Sequence, residues 1–393
     1  MRRTVIVGSA RTPFGKLGGV LKGYEAAELG SLSLAAAIKR SGLQGNEIEL
    51  VLLGQVLSAG CGQIPARQAA IKAGIPTNVP VDQINKVCAS SLRTVTLADT
   101  IIRAGDAEIV ATGGMESMSN APFALSDMRW GRKMSDMRFS DLMIKDGLWC
   151  PYHNVHMAIH GGMVALKNGI TRQMQDEWAM ESQVRAKRAI AKGILKKELI
   201  EITLSNGSVV DTDEAPRPET TMEGLAKLKP IFSNEGTVTA GNAPGVNDGA
   251  SANILMSEDE AQKRNIQPEA IILGYAMHSE EPANIATAPG HTIQKLLKKC
   301  RMKLDDIELF EINEAFAAVT LLSAKIVGID LNSVNVNGGA IAYGHPLGAS
   351  GGRIIMTLIN ELQRRNQKYG IAAICSGMGQ GDAILIENAR YHL

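Results

Sequence analysis

The sequence lacks a substantial net charge: 41 Lys and Arg stand against 40 Asp and Glu, a formal net charge of +1. No global field therefore favours nucleic acid or an anionic membrane, and an anionic ligand has to be met locally. It also lacks an uncharged apolar stretch near the roughly 18 residues that span a bilayer, and the apolar run in the opening MRRTVIVGSA is far shorter than a signal-peptide core. A disulfide framework is missing too, since five cysteines is an odd number without regular spacing. These absences point to a reduced, cytoplasmic protein with no membrane or nucleic-acid partner. Aromatic residues are scarce at 4%, whereas there are 40 glycines. That balance implies tight turns and close backbone approaches of the kind α/β enzymes use around ligands. At 393 residues, the prior of about 150 residues per domain gives two or three domains.

An internal echo organises what is present. IKRSGLQGNEIELVLLGQV from Ile38 resembles LKKCRMKLDDIELFEINEA from Leu297, with Ile48, Glu49 and Leu50 matching Ile307, Glu308 and Leu309 at an offset of 259 positions. Similar offsets pair TVIVGSA with AIILGYA near Ile271, and GGMESM near Gly113 with SGMGQG near Gly377. Each half reads as a short strand, an amphipathic helix, a strand, a Gly/Ser-rich turn opening a helix, and a final strand such as EIVATGG or IAAICSG. The pattern predicts a duplicated α/β unit. Residues from about Asn120 to Gly245 have no counterpart in the second half and are expected to form an inserted domain. Its segment Arg172 to Lys192 reads as a helix with a solvated charged face and an apolar stripe.

Two cysteines lie in settings suited to chemistry. Cys88, in NKVCASS, stands where the strand-like VPVDQIN gives way to ASSLRTVTLADTIIRAG, whose Leu92, Val95, Leu97, Ile101 and Ile102 fit a buried helix. Backbone N–H groups and the positive end of the helix dipole are expected to lower the pKa of a sulfur there, making it nucleophilic near neutrality, and to hold an oxyanion. The plain alternative is an inert buried thiol. His345, in NVNGGAIAYGHPLGASGGR, sits among Gly338, Gly339, Gly348, Gly351 and Gly352. Its imidazole is expected to be presented rather than buried, with a pKa near the operating pH for taking the Cys88 proton or donating to an enolate. Cys375 follows the apolar strand GIAAI and precedes SGMGQGDA, whose Gly377, Gly379 and Gly381 expose backbone N–H groups. If it faces Cys88, its thiolate is a soft, weakly solvated base for a carbon alpha to a thioester. Asn313, in EINEAFA, is placed either to fix a water or the histidine, or to act as an ordinary helix N-cap.

Taken together, NKVCASS, GGMESMS, NEAFA, NVNGGAIAYGHPLGASG and CSGMGQGDA resemble the thiolases. The resemblance covers the whole chain, including VIVGSARTPFGKLGG, GQIPARQAA and TVTAGNAPGVNDGA. It implies an α/β fold of duplicated βαβαβαββ halves forming a five-layer α-β-α-β-α core with an inserted loop domain. The expected division is 1–119 with 246–268 as the N-terminal half, 120–245 as the inserted, CoA-binding loop domain, and 269–393 as the C-terminal half. The implied activity is an acyl transfer, the reversible Claisen condensation of two acetyl-CoA to acetoacetyl-CoA and CoA by a ping-pong route. In it Cys88 is the nucleophile that carries the acyl group, His345 its activator and oxyanion donor, Cys375 the acid/base, and Asn313 the holder of the enolate's water. The backbone N–H groups of Cys88 and Gly377 form the second oxyanion hole. Coenzyme A and acetyl-CoA are substrates, no prosthetic group is implied, and the assembly is a homodimer or homotetramer.

By the same resemblance, DGLWCPYHNVHMAIH lines the pantetheine arm of CoA. It assigns His156 and Met157 to the tunnel and Leu148 to the adenine side, places Ala243, Pro244 and Phe316 in the CoA site, and gives Arg217 to the nucleotide. Cys150, His153, His156 and His160 also have zinc-like spacing, but the family role of His156 leaves the expectation of no metal. The basic run MRWGRKMSDMR from Met128 is a draw for CoA phosphates, a solvated loop or a subunit contact. Two positions depart from the short-chain members: Pro244 stands where many thiolases have Ser, and Ile285 falls near where acetoacetyl-specific members tend to have Met. A pantetheine contact is thus lost or replaced, and the acyl pocket differs in size. The runner-up activity is a broader degradative 3-ketoacyl-CoA thiolase of fatty acid β-oxidation. Cys375 speaks against a decarboxylating 3-ketoacyl synthase, and the intact set of Cys88, His345, Cys375 and Asn313 against a noncatalytic CoA-binding protein.

Overall fold

Successive side chains along a strand point to opposite faces of its sheet, so two-sided apolar strands demand cover on both sides. In the computed structural model, which describes residues 2–233 and 235–392, that demand builds the whole architecture. The first half runs β1 (Thr4–Arg11), α1 (Ala26–Ser41), β2 (Leu50–Gly54), α2 (Pro65–Lys72), β3 (Val81–Ile84), α3 (Ser90–Ala104) and β4 (Ile109–Ser117). A long excursion carrying α4 (Met157–Lys167) and α5 (Arg172–Ala191) follows, and β5 (Asn247–Ser257) completes the half. The second half runs β6 (Ala270–Ser279), α6 (Ala288–Cys300), β7 (Leu309–Ile312), α7 (Ala317–Val327), α8 (Ser350–Arg365), β8 (Tyr369–Ser376) and β9 (Gln380–Asn388). The second half repeats the first, with its third strand reduced to a bridge between Phe310 and Val334.

The strand orders match as well: β3-β2-β4-β5-β1 in one half, and Val334 followed by β7-β8-β9-β6 in the other. Antiparallel pairing of Thr4–Ile6 with Ala270–Ile272 joins the two into one mixed sheet. The echo read in the sequence has a physical counterpart, because β1 slips register between Ile6 and Gly8 and β6 slips between Ile272 and Gly274.

Alternation sorts the side chains into three cores. Val51 and Leu53 of β2 pack with α1 and α2, whereas Leu52 points the other way, towards α3. Ile371 and Ala373 of β8 join the α6 and α7 side, whereas Ala372 and Ile374 face α8. Leu92 and Val95 of α3 and Ile354, Ile355 and Leu358 of α8 share the central core, which both half-sheets feed. The result is five layers: α1 and α2, a half-sheet, α3 and α8, a half-sheet, then α6 and α7. A buried Leu or Ile contributes roughly 1.5–3 kcal/mol, so the central helices are firmly seated and the turns at their N-termini are fixed with them.

Two expectations change. The buried face of α5 is largely polar rather than an apolar stripe, with Gln175, Asp176, Ser182, Gln183 and Arg185 buried beside Trp178. Its neighbours are polar loops: Trp178 Nε1 and Ser182 Oγ donate to Glu314 at 3.0 and 2.9 Å, and Arg185 donates to the Val334 carbonyl at 2.5 Å. Gly351 and Gly352, read as ligand-approach glycines, lie instead in the first turn of α8. A Cβ on Gly351 would fall 2.4 Å from the Leu92 nitrogen, so the bare backbone is what lets α8 press against α3. Among the described residues no helix is long and apolar enough to cross a membrane.

Candidate active site

The chain leaves β3 and tightens at once: Ala89 N donates to Lys86 O and Ser90 N to Val87 O, both at 3.1 Å, with Val87 at a φ of 46°. This turn sets Cys88 directly before Ala89, the N-cap of α3. The central layer closes over the thiol, leaving it 3% exposed. Burial pushes its pKa up to about 12; its own backbone N–H pulls downward, and Glu116 adds to the rise. The helix start expected to lower the pKa is therefore present but outweighed. A rise of that size opposes ionisation by about 4 kcal/mol, several times the roughly 0.3–1 kcal/mol of a helix dipole.

Strand β8 brings Cys375 to the same place. The Ser376 hydroxyl donates to the Lys86 carbonyl, Lys86 Nζ pairs with Asp382 of β9 at 2.5 Å, and Gly377 lies against the Val87 side chain. Cys375 is fully buried. Burial raises its pKa well above the ordinary thiol value, and charge on Cys88 would raise it further. The two thiols meet from non-equivalent positions, however. Cys88 sits in the turn into α3, and Cys375 in strand β8. The counterpart of the Cys88 turn is the loop into α8, which carries His345.

That loop depends on Gly344, whose φ is 103° and where a Cβ would fall 2.5 Å from the Asn247 amide. With no side chain in the way, His345 N–H donates to Asn247 Oδ1 at 2.9 Å. His345 Nδ1 lies 2.6 Å from Ser350 Oγ, and Ser350 Oγ donates to the Pro346 carbonyl at 2.9 Å. With that hydroxyl proton given to Pro346, the imidazole proton is assigned to Nδ1, which donates to Ser350. Nε2 is left as the acceptor. It lies 3.4 Å from Asn313 Nδ2. The imidazole is buried rather than presented, and its pKa is not near neutrality. Burial, with Arg353 adding to it, pushes it down to about 3, so the ring is neutral at pH 7.

Asn313 is no helix cap, since Phe316 caps α7. Its backbone N–H donates to Ala373 O at 2.9 Å, and its buried Oδ1 has no partner among the described residues. A buried acceptor normally finds a donor, so this oxygen marks a place where one is wanted.

Cys88 and His345 open onto a cavity of about 240 Å³. Leu148, His156, Met157, Ala243, Pro244 and Phe316 all line it, as does Ile285. Arg217 stands one residue behind, donating to the carbonyl of the lining Ala240 at 2.9 Å, and Gly377 lines an adjoining cavity. His156 caps α4 by accepting from Ala158 N at 3.1 Å, and its ring stacks on Phe232 at 3.7 Å. That orientation separates it from Cys150, His153 and His160, which converge on one another. Several contributors escaped the sequence reading. Met118, Phe232 and Leu347 line the cavity, and Ser350 sets the His345 tautomer. Glu116 accepts from Val56, Leu57 and Gly348 N–H groups at 3.1, 3.0 and 2.8 Å, which ties the His345 loop to the end of β2. A lone carboxylate in the small-residue strand GGMES was the available signal for Glu116. No comparable signal marked Phe232.

A buried thiol and a neutral imidazole that line the same apolar cavity are equipped for acyl transfer through sulfur. Comparison with known proteins agrees. Residues 4–259 match the family described as "Thiolase, N-terminal domain" and residues 266–388 match "Thiolase, C-terminal domain". The chain belongs to the thiolase family, acyltransferases that use coenzyme A substrates without a prosthetic group. It is 45% identical over 390 residues to the "Probable acetyl-CoA acetyltransferase" of Escherichia coli (strain K12), an alignment covering 98% of this chain and 99% of that one. It is also 46% identical to the "Acetyl-CoA acetyltransferase" of Cupriavidus necator and to that of Paracoccus denitrificans, in each case over 98% of this chain and 100% of the relative.

Proposed function

We propose that this protein is an acetyl-CoA C-acetyltransferase that joins two acetyl-CoA into acetoacetyl-CoA and CoA, reversibly, through an acetyl-Cys88 intermediate. One observation carries the reading. Cys88 and His345 share a cavity with Leu148, His156, Met157, Ala243, Pro244 and Phe316, the residues assigned to CoA. Relatives spanning the full chain and bearing that enzyme's name support the acetyl group as cargo.

The chemistry follows from two neutral thiols and a neutral imidazole. Cys88 Sγ attacks the thioester carbonyl of the first acetyl-CoA as its proton passes to His345 Nε2. The carbon–sulfur bond to CoA breaks, and the departing CoA thiolate takes a proton from Cys375. Acetyl-Cys88, imidazolium and Cys375 thiolate remain, and the two new charges stabilise each other in the closed core. A second acetyl-CoA then loses an alpha proton to Cys375. The resulting enolate oxygen is held by His345 Nε2–H and by a water on Asn313. The enolate carbon attacks acetyl-Cys88, acetoacetyl-CoA forms, and the Cys88 thiolate recovers its proton from His345. The backbone N–H groups of Cys88 and Gly377 hold the oxyanion on the acyl carbon, a role in which one donor is worth roughly 100- to 1000-fold in rate.

On this reading residues 120–245 are the CoA-binding insertion, 1–119 with 246–268 the first half and 269–393 the second, and Arg217 serves the nucleotide end. Assembly as a homodimer or homotetramer is supported by the apolar side chains that the 123–139 segment leaves exposed, including Phe123 at 64%, Trp130 at 88% and Phe139 at 69%. The protein is assigned to the cytoplasm. Thiolysis rates across 3-ketoacyl-CoA chain lengths test the specificity: kcat/KM should be highest on acetoacetyl-CoA. Higher efficiency on longer chains would instead make it a broader degradative thiolase, with Ile285 and Pro244 the cavity positions to examine.

A further inference from the structure

We propose that Cys150, His153 and His160 bind a zinc-class divalent cation at the hairpin and helix that supply His156 and Met157 to the acyl-CoA cavity. Residues Trp149–Cys150 pair antiparallel with Val155–His156, and the turn between them carries His153 back over Cys150. Asn154 takes a φ of 53° in that turn and accepts from Trp149 Nε1 at 3.0 Å, which holds the turn closed. Cys150 Sγ then lies 3.7 Å from His153 Nδ1. Helix α4 starts at Met157, and its first turn brings His160 edge-on to His153 with ring centroids 5.0 Å apart. The ligand atoms of all three lie within 4.8 Å of one another.

These distances suit a tetrahedral centre. Zinc bond lengths to thiolate and imidazole place sulfur and nitrogen ligands about 3.6 Å apart, close to the Cys150–His153 separation, and two nitrogens about 3.3 Å apart. The remaining closure is at most about 1.5 Å on these lengths, and His153 is exposed. One thiolate and two imidazoles without a carboxylate select a borderline-soft ion over magnesium or calcium. Cys150 and His160 are buried while His153 faces solvent, so the ion has both a sheltered seat and a way in. The fourth position opens on the adjoining cavity, which Cys150 and His160 line together with Asp146, Met157 and Gly377. Binding forms a metal–sulfur bond as the Cys150 proton leaves to solvent, with no change of oxidation state.

The sequence counts four residues at ligand spacing, and the structure removes His156 by stacking it on Phe232 inside the acyl cavity. This division gives the cation its role. It would fasten the 151–154 turn to α4, and that hairpin and helix carry His156 and Met157 into the cavity wall. A second group, His278, Glu280 and His291, serves as an internal control because its Glu280 carboxylate already accepts from Thr287 Oγ1, outside the group, at 2.8 Å.

Calorimetric zinc titration and cobalt(II) spectroscopy on the metal-stripped full chain test the proposal. We expect one ion per chain, a thiolate-to-cobalt charge-transfer band, and tetrahedral visible bands. His153→Ala, at an exposed position, and Cys150→Ala should each weaken binding by more than about tenfold, at least what loss of an outer-sphere partner costs. Cys88→Ser and His291→Ala should leave it unchanged. Absence of micromolar binding, binding undiminished in His153→Ala, or loss in Cys88→Ser or His291→Ala would overturn it. If Cys150→Ala fails to fold, His153→Ala and the cobalt–thiolate band decide.

Discussion

Ser350 never touches the acyl cavity, yet replacing it by Ala should slow the enzyme substantially. Its hydroxyl accepts from His345 Nδ1 at 2.6 Å and spends its own proton on the Pro346 carbonyl at 2.9 Å. That arrangement keeps the imidazole proton on Nδ1 and a lone pair on Nε2, facing Asn313 Nδ2 at 3.4 Å. In Ser350→Ala the ring, only 5% exposed, has an orphaned N–H. A buried unsatisfied donor costs about 1–3 kcal/mol, and relief by moving the proton to Nε2 removes the acceptor that Cys88 needs. Charged to the acylation barrier, that range predicts a fall in kcat of roughly 5- to 150-fold. KM for acetyl-CoA should stay within about twofold, since the hydroxyl contributes no cavity surface and only groups that bind substrate and transition state alike set KM alone. Steady-state condensation kinetics of the folded variant supply both numbers. A kcat within twofold of the unmodified enzyme, or a loss carried wholly by KM, would refute the tautomer assignment.

The buried Cys88 thiol, with its pKa near 12, should be alkylated by iodoacetamide about tenfold faster per pH unit from neutrality to about pH 10, whereas a plateau near pH 7 would reveal a resting thiolate. Glu116 has its carboxyl raised by burial from 4.5 to about 7, so the folded state holds its proton more tightly than the unfolded state. Its stabilising contribution is complete below about pH 4.5 and lost as pH rises through about 7, a swing on the order of 3 kcal/mol. Urea unfolding at pH 5 and 8 should show a smaller loss in Glu116→Gln than in the unmodified chain, and equal losses would contradict the assignment. Asn313→Ala should cut condensation roughly 100- to 1000-fold, as loss of an oxyanion donor does, while acetylation of Cys88 is largely spared. An equal effect on both half-reactions would remove Asn313 from the enolate site.

The sequence carried the architecture well because its signal was redundant. Matching strands, helices and loops in two halves predicted equivalent layers, and β1 and β6 repeat even the register slip at Gly8 and Gly274. Residue identity also singled out Cys88, His345, Cys375 and Asn313. Their ionisation states were not legible, because a pKa is set by how much core closes over a group. The Gly-rich surroundings of His345 suggested exposure, yet three of those glycines, Gly348, Gly351 and Gly352, serve close packing that buries it. Short-range patterns likewise could not show that α5 would meet Glu314 and so bury a polar face. Nor could they show that His156 would turn away from Cys150, His153 and His160, since its partner Phe232 lies 76 positions away.

The central claim assigns unequal work to two buried cysteines, and Cys375→Ala tests it most directly. Without Cys375 the leaving CoA takes its proton from His345 or water, so Cys88 still becomes acetylated, but no base remains to remove the alpha proton. Incubation with acetyl-CoA followed by peptide mass spectrometry should find one acetyl group per chain accumulating on the peptide that carries Cys88, with acetoacetyl-CoA formation abolished. Acetyl on another residue, or continued condensation with Cys88 unmodified, would contradict the account.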